Sequence, residues 1–367
     1  MTPLALDASH GEGGGQVLRT ALALAVAFGR PVALQGIRLR RPKPGLQPQH
    51  LTVVRALAAI GDAHVTGDVL GSTALAFTPR GLRAGDWRFD IGAIKRSAGS
   101  VSLLLQSLLL PLARADAPSR LTLAGGTHVP WSPTVHYLMA AFLPALASLG
   151  LPTRLHLRRW GWYPAGGGEI EVEVTPARRM EGLTVMQVPS PLDVAGVSAV
   201  SRLPRSIAER QRRQAEARLD AAGVRADITI EEDTTALGPG TLLFLGVHGR
   251  AGFSTLGRRG LPAERVADAA VDALLDWRAS GAALDVHLAD QLVAFLALAD
   301  GPSSFTCPRL SEHLRTVAWV VQQFVAVGIT LYDERPARVE IIPAIHPVPP
   351  SLIDHHGHPG CDVNRAR

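Results

Sequence analysis

Apolar positions along the chain follow one order of strands and helices that appears three times. The strand "LALDA" is followed by a helix from Gln16 to about Phe28, the strand "PVALQGI", the helix "QHLTVVRALAAIG" and the strands "AHVTG" and "ALAFTP". The same order begins again at Asp86 with "WRFDIG", and it returns near the C-terminus with the helix "LADQLVAFLALA" and the strand "SFTCP". These alternating periodicities predict repeated α/β units.

A glycine at the end of the second helix of each unit supports the repeat. Gly61 and Gly150 are 89 residues apart, and Gly328 follows Gly150 at twice that interval. Glycine is a common helix stop, so three such marks can also arise by chance. Because the order of elements recurs as well, we favour a true repeat, with an insertion of similar length before the last unit.

The insertion is predicted between Leu183 and Gly281, where strands and two polar-faced helices form a small α/β domain. Its segment "RLPRSIAERQRRQ" is basic and could face RNA. A run of charged residues more often forms the solvent-exposed face of a helix, however. The predicted parts are therefore repeats one and two over 1–182, the inserted domain over 183–281, the third repeat over 282–343 and a disordered tail over 344–367.

Composition narrows the class of protein only slightly. The chain has 367 residues, 47% of them hydrophobic and 19% charged, which indicates a globular protein. A net charge of +5 weakly favours a polyanionic partner such as RNA. Cys307 and Cys361 form no disulfide framework, and neither a membrane span nor a signal peptide is evident. We expect a soluble cytoplasmic protein with no membrane partner, and the oligomeric state stays open.

The first candidate site is the stretch "GEGGGQVLRT", which lies between a strand and an apolar helix. Free N–H groups and the positive end of the helix dipole meet there, which favours an anion. The stretch matches neither the Walker nor the dinucleotide-binding pattern, because Gln16 stands where those patterns need other residues. Glu12 could bind a divalent cation and Arg19 a phosphate, or the two could form a local ion pair beside a tight turn.

Three further stretches carry candidate chemistry. "GIRLRRPKPGLQPQHL" places Arg38, Arg40, Arg41 and Lys43 in a proline-stiffened loop, which is either a polyphosphate or RNA clamp or a solvated basic loop. "GWYPAGGGEI" is a second glycine-rich turn. In "SEHLRT", Ser311 is predicted to cap a helix whose first turn holds His313. The helix dipole would keep that imidazole neutral and able to act as a nucleophile, unless it is simply exposed.

These motifs, together with "SAGSVSLLLQ" and "HLADQL", occur in the order seen in RNA 3′-terminal phosphate cyclases, and the chain resembles that family from about Leu4 to Ile342. The resemblance implies three repeated α/β units, as in half of an enolpyruvate transferase, with an inserted thioredoxin-like domain. It also implies that ATP and a divalent cation (Mg²⁺ or Mn²⁺) adenylylate a histidine. AMP would then pass to an RNA 3′-phosphate to give RNA(3′)pp(5′)A, and attack by the 2′-OH would form a 2′,3′-cyclic phosphate.

The resemblance assigns roles to particular positions. His313 would carry AMP, Glu12 would bind the metal, and Arg19, Arg41 and Gln49 would contact phosphate near the catalytic pocket. The positions that would bind ATP are Gln106 on its phosphates, Pro133 against the adenine, and the nucleotide-lining stretch His287, Leu288, Ala289, Asp290 and Gln291.

The sequence departs from the family pattern at a few positions. His287 stands where part of the family has a tyrosine that stacks on adenine, and Val317 stands where an asparagine is expected. The segment "DIGAIKRSAGS" is a few residues longer than the pattern, which leaves the roles of Lys95 and Arg96 open.

Two other classes of protein compete with a cyclase. Some cyclase-like proteins have lost the nucleophile and act as RNA-binding ribosome-assembly factors, but His313 with Glu12 and Arg19 favours an enzyme. An enolpyruvyl transferase would need a site for a carbon substrate, for which the motifs give no reason. The tail carries His355, His356, His358 and Cys361, which could bind a transition metal, although a disordered end is the simpler interpretation.

Overall fold

The structure is a computed structural model that describes residues 2–95 and 97–343. Its strands are β1 (Leu4–Asp7), β2 (Val32–Gln35), β3 (His64–Thr66), β4 (Ala74–Thr78), β5 (Asp86–Asp90), β6 (Ser119–Gly125), β7 (Thr153–Arg159), β8 (Gly168–Val174), β9 (Thr184–Val185), β10 (Val194–Ser201), β11 (Ala226–Asp233), β12 (Gly240–Val247), β13 (Ala251–Leu256), β14 (Ser303–Cys307), β15 (Val327–Tyr332) and β16 (Ala337–Pro343). Its α-helices are α1 (Gln16–Phe28), α2 (Pro48–Ile60), α3 (Val101–Leu112), α4 (Val135–Tyr137), α5 (Leu143–Ser148), α6 (Arg205–Ala221), α7 (Ala263–Ser280), α8 (Val286–Leu296) and α9 (Glu312–Phe324).

Three four-stranded sheets share one topology. Their strand orders are β1-β2-β4-β3, β5-β6-β8-β7 and β9-β14-β16-β15. In each sheet the first two strands named are parallel and the other two neighbouring pairs are antiparallel. The sequence-based prediction of three repeated α/β units is therefore confirmed.

Helix α1 lies at the centre of the main core. It packs against α2 and α3 on one side and against α9 of the third unit on the other. Its residues from Val17 to Ala27, except Arg19, are buried. A helix with so wide an apolar surface needs packing partners around most of its circumference, and the three units supply them. Gly29 ends the helix at φ 60 and donates its N–H to the carbonyls of Ala25 and Val26.

The fourth sheet belongs to the inserted domain and has the order β11-β10-β12-β13. Strand β10 pairs parallel with β11 and antiparallel with β12, and α6 and α7 pack together on this sheet. A separate cluster of buried side chains forms its core. A βαβ unit followed by an antiparallel hairpin and a helix is the arrangement expected for a thioredoxin-like insertion. Strand β13, "AGFSTL", was not predicted from the sequence.

Two details of the sequence-based organisation need correction. Thr184 and Val185 fall inside the span predicted as the insertion, yet as β9 they pair with β14 and supply the first strand of the third unit. Gly328 lies within β15 and does not end a helix, because α9 ends at Phe324 and Val325 is already extended. The other predicted domain boundaries stay predictions.

The helix predicted over "TVHYLMAAFLPALASLG" contains a π-helical turn, Leu138–Phe142, between α4 and α5. Pro144 has no N–H with which to bond the carbonyl of Ala140, four residues earlier. That carbonyl accepts instead from the N–H of Gly249, at 2.9 Å, in the turn between β12 and β13. The distortion of the helix thus ties the second unit to the inserted domain.

Candidate active site

A cavity of about 830 Å³ lies where the three units and the inserted domain meet. Its walls come from the N-terminal ends of α1 and α9, from α3 and α8, from the segment 131–134 and from β13. The sequence-predicted site residues that line it are Glu12, Arg19, Arg41, Gln106, Pro133, His287, Asp290, Gln291 and His313.

The glycines before α1 let arginine and histidine side chains lie directly against the backbone. A Cβ on Gly14 would come to 3.0 Å from a guanidinium nitrogen of Arg41. A Cβ on Gly15 would come to 2.5 Å from Nε2 of His50 and 2.8 Å from Nη1 of Arg19. The glycines therefore admit a group of basic side chains around the end of the helix, which is the arrangement that the phosphate-site hypothesis needs.

The N-terminus of α1 carries no capping side chain among the described residues, since Gly15 occupies the N-cap position. The first N–H groups of a helix have no partner within the helix, and they mark the positive end of its dipole. Gly14, Gly15 and Gln16 all line the cavity at this point. The end of the helix therefore provides a backbone site for an anion.

Arg19 brings a half-buried positive charge to the same place. Its Nη2 donates to Oε1 of Gln16 at 2.7 Å, and it forms no ion pair within 4.0 Å with any described carboxylate. Burial lowers the pKa of Arg19 to about 10, and the field of Asp290 opposes that shift. A cation that is partly removed from water and has no partner is costly unless a ligand supplies the opposite charge. The surroundings of Arg19 are those of an anion-binding residue.

His313 lies in the first turn of α9, as predicted from the sequence. Oγ of Ser311 caps this helix by accepting from the N–H of Leu314 at 3.0 Å. Nε2 of His313 lies 3.6 Å from Oε2 of Glu12, and the same carboxylate oxygen lies 3.2 Å from Nη2 of Arg41. The groups predicted as nucleophile, metal ligand and phosphate contact are thus neighbours.

The surroundings of His313 favour its neutral form. Burial is the largest cause that lowers the pKa of His313, and the nearby charges of Arg19, His287 and Arg41 lower it further, whereas Glu12 raises it. The net shift is downward from the ordinary value of 6.5. At pH 7 the imidazole therefore retains a lone pair on one nitrogen.

Helix α8 presents one face of the predicted nucleotide-lining stretch to the cavity. His287, Asp290 and Gln291, at positions i, i+3 and i+4, line it. Leu288 and Ala289 are fully buried in the main core, so the structure does not bring them to the cavity. Burial, followed by the neighbouring charge of Asp285, raises the pKa of Asp290 well above its usual range.

The N-cap of α8 joins three parts of the fold. Oδ1 of Asp285 accepts from the N–H groups of His287 at 2.7 Å and Leu288 at 2.9 Å. Oδ2 accepts from the N–H of Gly252 in the inserted domain at 3.0 Å, and the hydroxyl of Tyr137 in the second unit donates to it at 3.3 Å. This carboxylate fixes where α8 begins, and with it the position of His287.

Three buried polar atoms at the cavity have no hydrogen-bond partner among the described residues. They are Nδ1 of His50, Nε2 of Gln106 and Oε1 of Gln291. Buried polar groups in folded proteins nearly always have a partner, so these atoms indicate a polar ligand. Burial, with the charges of Arg19 and Arg38, lowers the pKa of His50 to about 3, so this ring is neutral as well.

Apolar groups line another part of the cavity and can cover a flat ring. Pro133, Phe253 and Phe295 belong to this part. A binding site that combines apolar walls with a few polar groups is typical for small molecules with a base and phosphates.

Phe253 and His50 were not predicted as site residues from the sequence. Phe253 was missed because its strand, β13, was not predicted. His50 could have been considered, because it directly follows Gln49 in the basic motif.

Gln49 lies outside this cavity. Its Oε1 accepts from the N–H of Ser100, the N-cap of α3, at 2.9 Å, and the side chain lines a smaller neighbouring cavity. In the basic segment of the inserted domain, residues 202–214, Arg205, Arg210 and Arg212 form ion pairs with acidic side chains. These pairs favour the solvated helix face over an RNA-facing surface. The histidine-rich tail and Arg96 lie outside the described residues.

The fold and this cavity define a class of protein: three-unit α/β proteins with an anion site opposite an uncharged histidine. The model of the family described as "RNA 3'-terminal phosphate cyclase" matches residues 10–331. A protein of that name from Methylococcus capsulatus is 45% identical over 98% of this chain and 100% of its own. Another, from Gloeothece citriformis, is 43% identical over 89% of this chain and 95% of its own. The chain belongs to the RNA 3′-terminal phosphate cyclase family, and the predicted resemblance is confirmed.

Among solved structures, the enolpyruvyl transferase NikO from Streptomyces tendae covers 94% of this chain and 66% of its own, at 14% identity and a TM-score of 0.27. At so low a score the fold description rests on the strand pairings alone. Within the described residues, no helix is both long enough and apolar enough to cross a membrane.

Proposed function

We propose that this protein is an ATP-dependent RNA 3′-terminal phosphate cyclase that works through an AMP-histidine intermediate on His313. The observation that carries the proposal is the placement of a neutral His313 beside Glu12 and Arg41 in the cavity that also holds the unpaired Arg19. A non-catalytic RNA-binding protein would not need an uncharged histidine beside a carboxylate and an arginine in this cavity.

In the first step, Nε2 of His313 attacks the α-phosphorus of ATP. An N–P bond forms, the bond from that phosphorus to the bridging oxygen breaks, and pyrophosphate leaves with the electron pair. Arg19, Arg41 and the N-terminus of α1 face the developing negative charge on the phosphates. The imidazole can attack without first losing a proton, because its pKa is held below 6.5.

A divalent cation fits this step through Glu12 and not through a cage of protein ligands. The described residues contain no group of three or more His, Cys, Asp or Glu side chains arranged for a metal. Mg²⁺ is commonly held by one or two carboxylates together with substrate phosphates, and Glu12 provides one carboxylate at the cavity. When bound, such a cation would neutralise charge on the phosphates.

In the second step, an oxygen of the RNA 3′-phosphate attacks the phosphorus of the AMP-histidine, and the N–P bond breaks to restore the neutral imidazole. The product is RNA(3′)pp(5′)A. In the third step the neighbouring 2′-OH attacks the former terminal phosphorus, loses its proton and expels AMP, giving a 2′,3′-cyclic phosphate. Activation is needed because a phosphate monoester has no good leaving group, whereas AMP is one.

An RNA with a radioactive 3′-terminal phosphate tests the overall reaction. With ATP and Mg²⁺ or Mn²⁺, we expect the label to become resistant to phosphatase. The matched control is the same oligonucleotide with a 2′-deoxy terminal residue, in which the label should remain capped by AMP and never cyclise, because the attacking hydroxyl is missing. A label that stays sensitive to phosphatase under all conditions would contradict the proposal.

A further inference from the structure

A second cavity, of about 270 Å³, lies beside the first. Leu103, Trp131 and Ser132 line both cavities, so the two are neighbours across a shared wall. The loop 97–100 lines the second cavity, and so does Tyr163 from the stretch "GWYPAGGGEI". Neither of these two segments takes part in the reaction steps above. Their contact at the second cavity therefore needs a separate explanation.

Two exposed aromatic rings stand at this cavity. Trp131 is 99% exposed and Tyr163 is 65% exposed. Trp131 also has a φ of 65°, a left-handed conformation that is unfavourable for a bulky side chain. Strained residues persist where the surroundings impose them, and they occur preferentially at ligand sites. An apolar ring presented to solvent in this way is suited to stacking on a ligand.

Close packing at two glycines, Gly166 of "GWYPAGGGEI" and Gly99 of the loop 97–100, shapes the walls of the second cavity. A Cβ on Gly166, whose φ is +63°, would come to 3.0 Å from the Cα of Ala98. A Cβ on Gly99 would come to 2.6 Å from Cγ2 of Ile91. The N–H of Gly166 donates to the carbonyl of Trp162 at 2.7 Å, which closes the turn that carries Tyr163. The turn therefore packs at Gly166 directly on the backbone of Ala98, which places Tyr163 beside the loop 97–100.

Gln49 adds a polar group to this cavity. Because its Oε1 is occupied by the N–H of Ser100, the orientation of the amide is fixed and Nε2 remains as a donor. A site with two exposed aromatic rings and an amide donor matches the chemistry of a single-stranded nucleic acid.

We propose that the second cavity binds the last bases of a single-stranded RNA, which stack on Trp131 and Tyr163 while the 3′-phosphate reaches across the shared wall toward His313. This inference rests on the proposed cyclase function. Stacking does not distinguish one base from another, so the site would accept RNA ends of different sequence. Double-stranded ends would be disfavoured, because paired bases cannot open onto the rings.

The test compares Tyr163→Ala and Trp131→Ala with wild type in two assays. The first is binding of a fluorescent single-stranded RNA with a 3′-phosphate, measured by anisotropy without ATP. We expect the Kd to rise about 5- to 150-fold for each variant, the range found when a stacking side chain is removed. Tyr163→Phe should restore binding, since it keeps the ring. Val69→Ala, at another exposed apolar position, is the matched control and should bind as wild type does.

The second assay is labelling of the enzyme by ATP without RNA, which separates this inference from the proposed function. Tyr163 does not line the first cavity, so Tyr163→Ala should label as wild type does. Failure of wild type to label would refute the proposed function itself. If wild type labels and both aromatic variants still bind RNA with the wild-type Kd, the second cavity is not the RNA site, and the exposed rings then suit a protein partner.

Discussion

Nε2 of His313 lies 3.6 Å from Oε2 of Glu12, although the two residues come from opposite ends of the chain. The distance is too long for a hydrogen bond, so the carboxylate does not occupy the nitrogen that must attack. Glu12 is turned toward Arg41, with 3.2 Å between Oε2 and Nη2. The carboxylate therefore acts on His313 through its charge and leaves the lone pair of the imidazole available.

The pH dependence of enzyme labelling should respond to Glu12. In wild type, the single-turnover rate should be constant from pH 8 to about 6.5 and fall only below the ordinary histidine pKa, because the pKa of His313 is lowered. In Glu12→Gln the plateau should be lower through loss of a metal ligand. Its acidic midpoint should also move to lower pH, since Glu12 is the charge that raises this pKa. A midpoint that moves to higher pH would contradict this account.

Arg19→Gln should separate ligand binding from stability. Loss of a charge-assisted hydrogen bond to phosphate should weaken ATP binding about 10- to 100-fold in calorimetry. The free energy of unfolding in urea should not decrease, because the substitution removes a desolvated charge that has no ion-pair partner within the described residues. Arg55→Gln, at an exposed arginine, should change neither quantity. A destabilised Arg19→Gln variant with normal ATP affinity would show that Arg19 has a structural role.

The glycine loop gives a prediction with a close internal control. Gly15→Ala should reduce ATP affinity by at least about 10-fold, because the new Cβ would lie 2.5 Å from Nε2 of His50 and must displace that ring or Arg19. Gly81→Ala places a Cβ where nothing lies within 4 Å and should bind ATP normally. Circular dichroism would establish that both variants fold. Equal ATP affinities for the two would mean that the loop tolerates a side chain.

His50 should make the protein sensitive to acid. Its pKa is about 3 in the folded state and near 6.5 when unfolded, so between these pH values the unfolded chain binds the additional proton. The free energy of unfolding should therefore fall as the pH falls from 6.5 toward 3. His50→Gln removes this contribution, so its stability should decline less steeply than that of wild type in urea titrations from pH 7.5 to 4.5. Parallel curves would mean that His50 titrates normally.

Much of the fold and part of the site follow from local sequence pattern. The apolar surface of α1, the Ser311 cap and the order of elements in each unit are short-range signals, and the structure contains all three. The location of His313 in the first turn of a helix could be predicted because it follows the capping Ser311. Local pattern, however, carries no information about which side chains meet across units.

The features that the sequence-based prediction missed or misplaced depend on contacts between residues that are distant in the sequence. Strand β13 is half-exposed along much of its length and is fixed by pairing with β12, so its own sequence gave little signal. The π-helical turn leaves the carbonyl of Ala140 without the N–H that Pro144 lacks, and the N–H of Gly249, more than 100 residues away, donates to it instead. Gln49 lies in a basic motif, yet its partner is the backbone of Ser100 in another unit.

Covalent labelling by ATP tests the central claim most directly. Purified protein would be incubated with [α-³²P]ATP and Mg²⁺ or Mn²⁺ and run on a denaturing gel beside His313→Ala and the exposed-histidine control His64→Ala. We predict an acid-labile label on wild type and on His64→Ala, and none on a folded His313→Ala variant. A label that persists in His313→Ala, or its absence from folded wild type with either metal, would contradict the account.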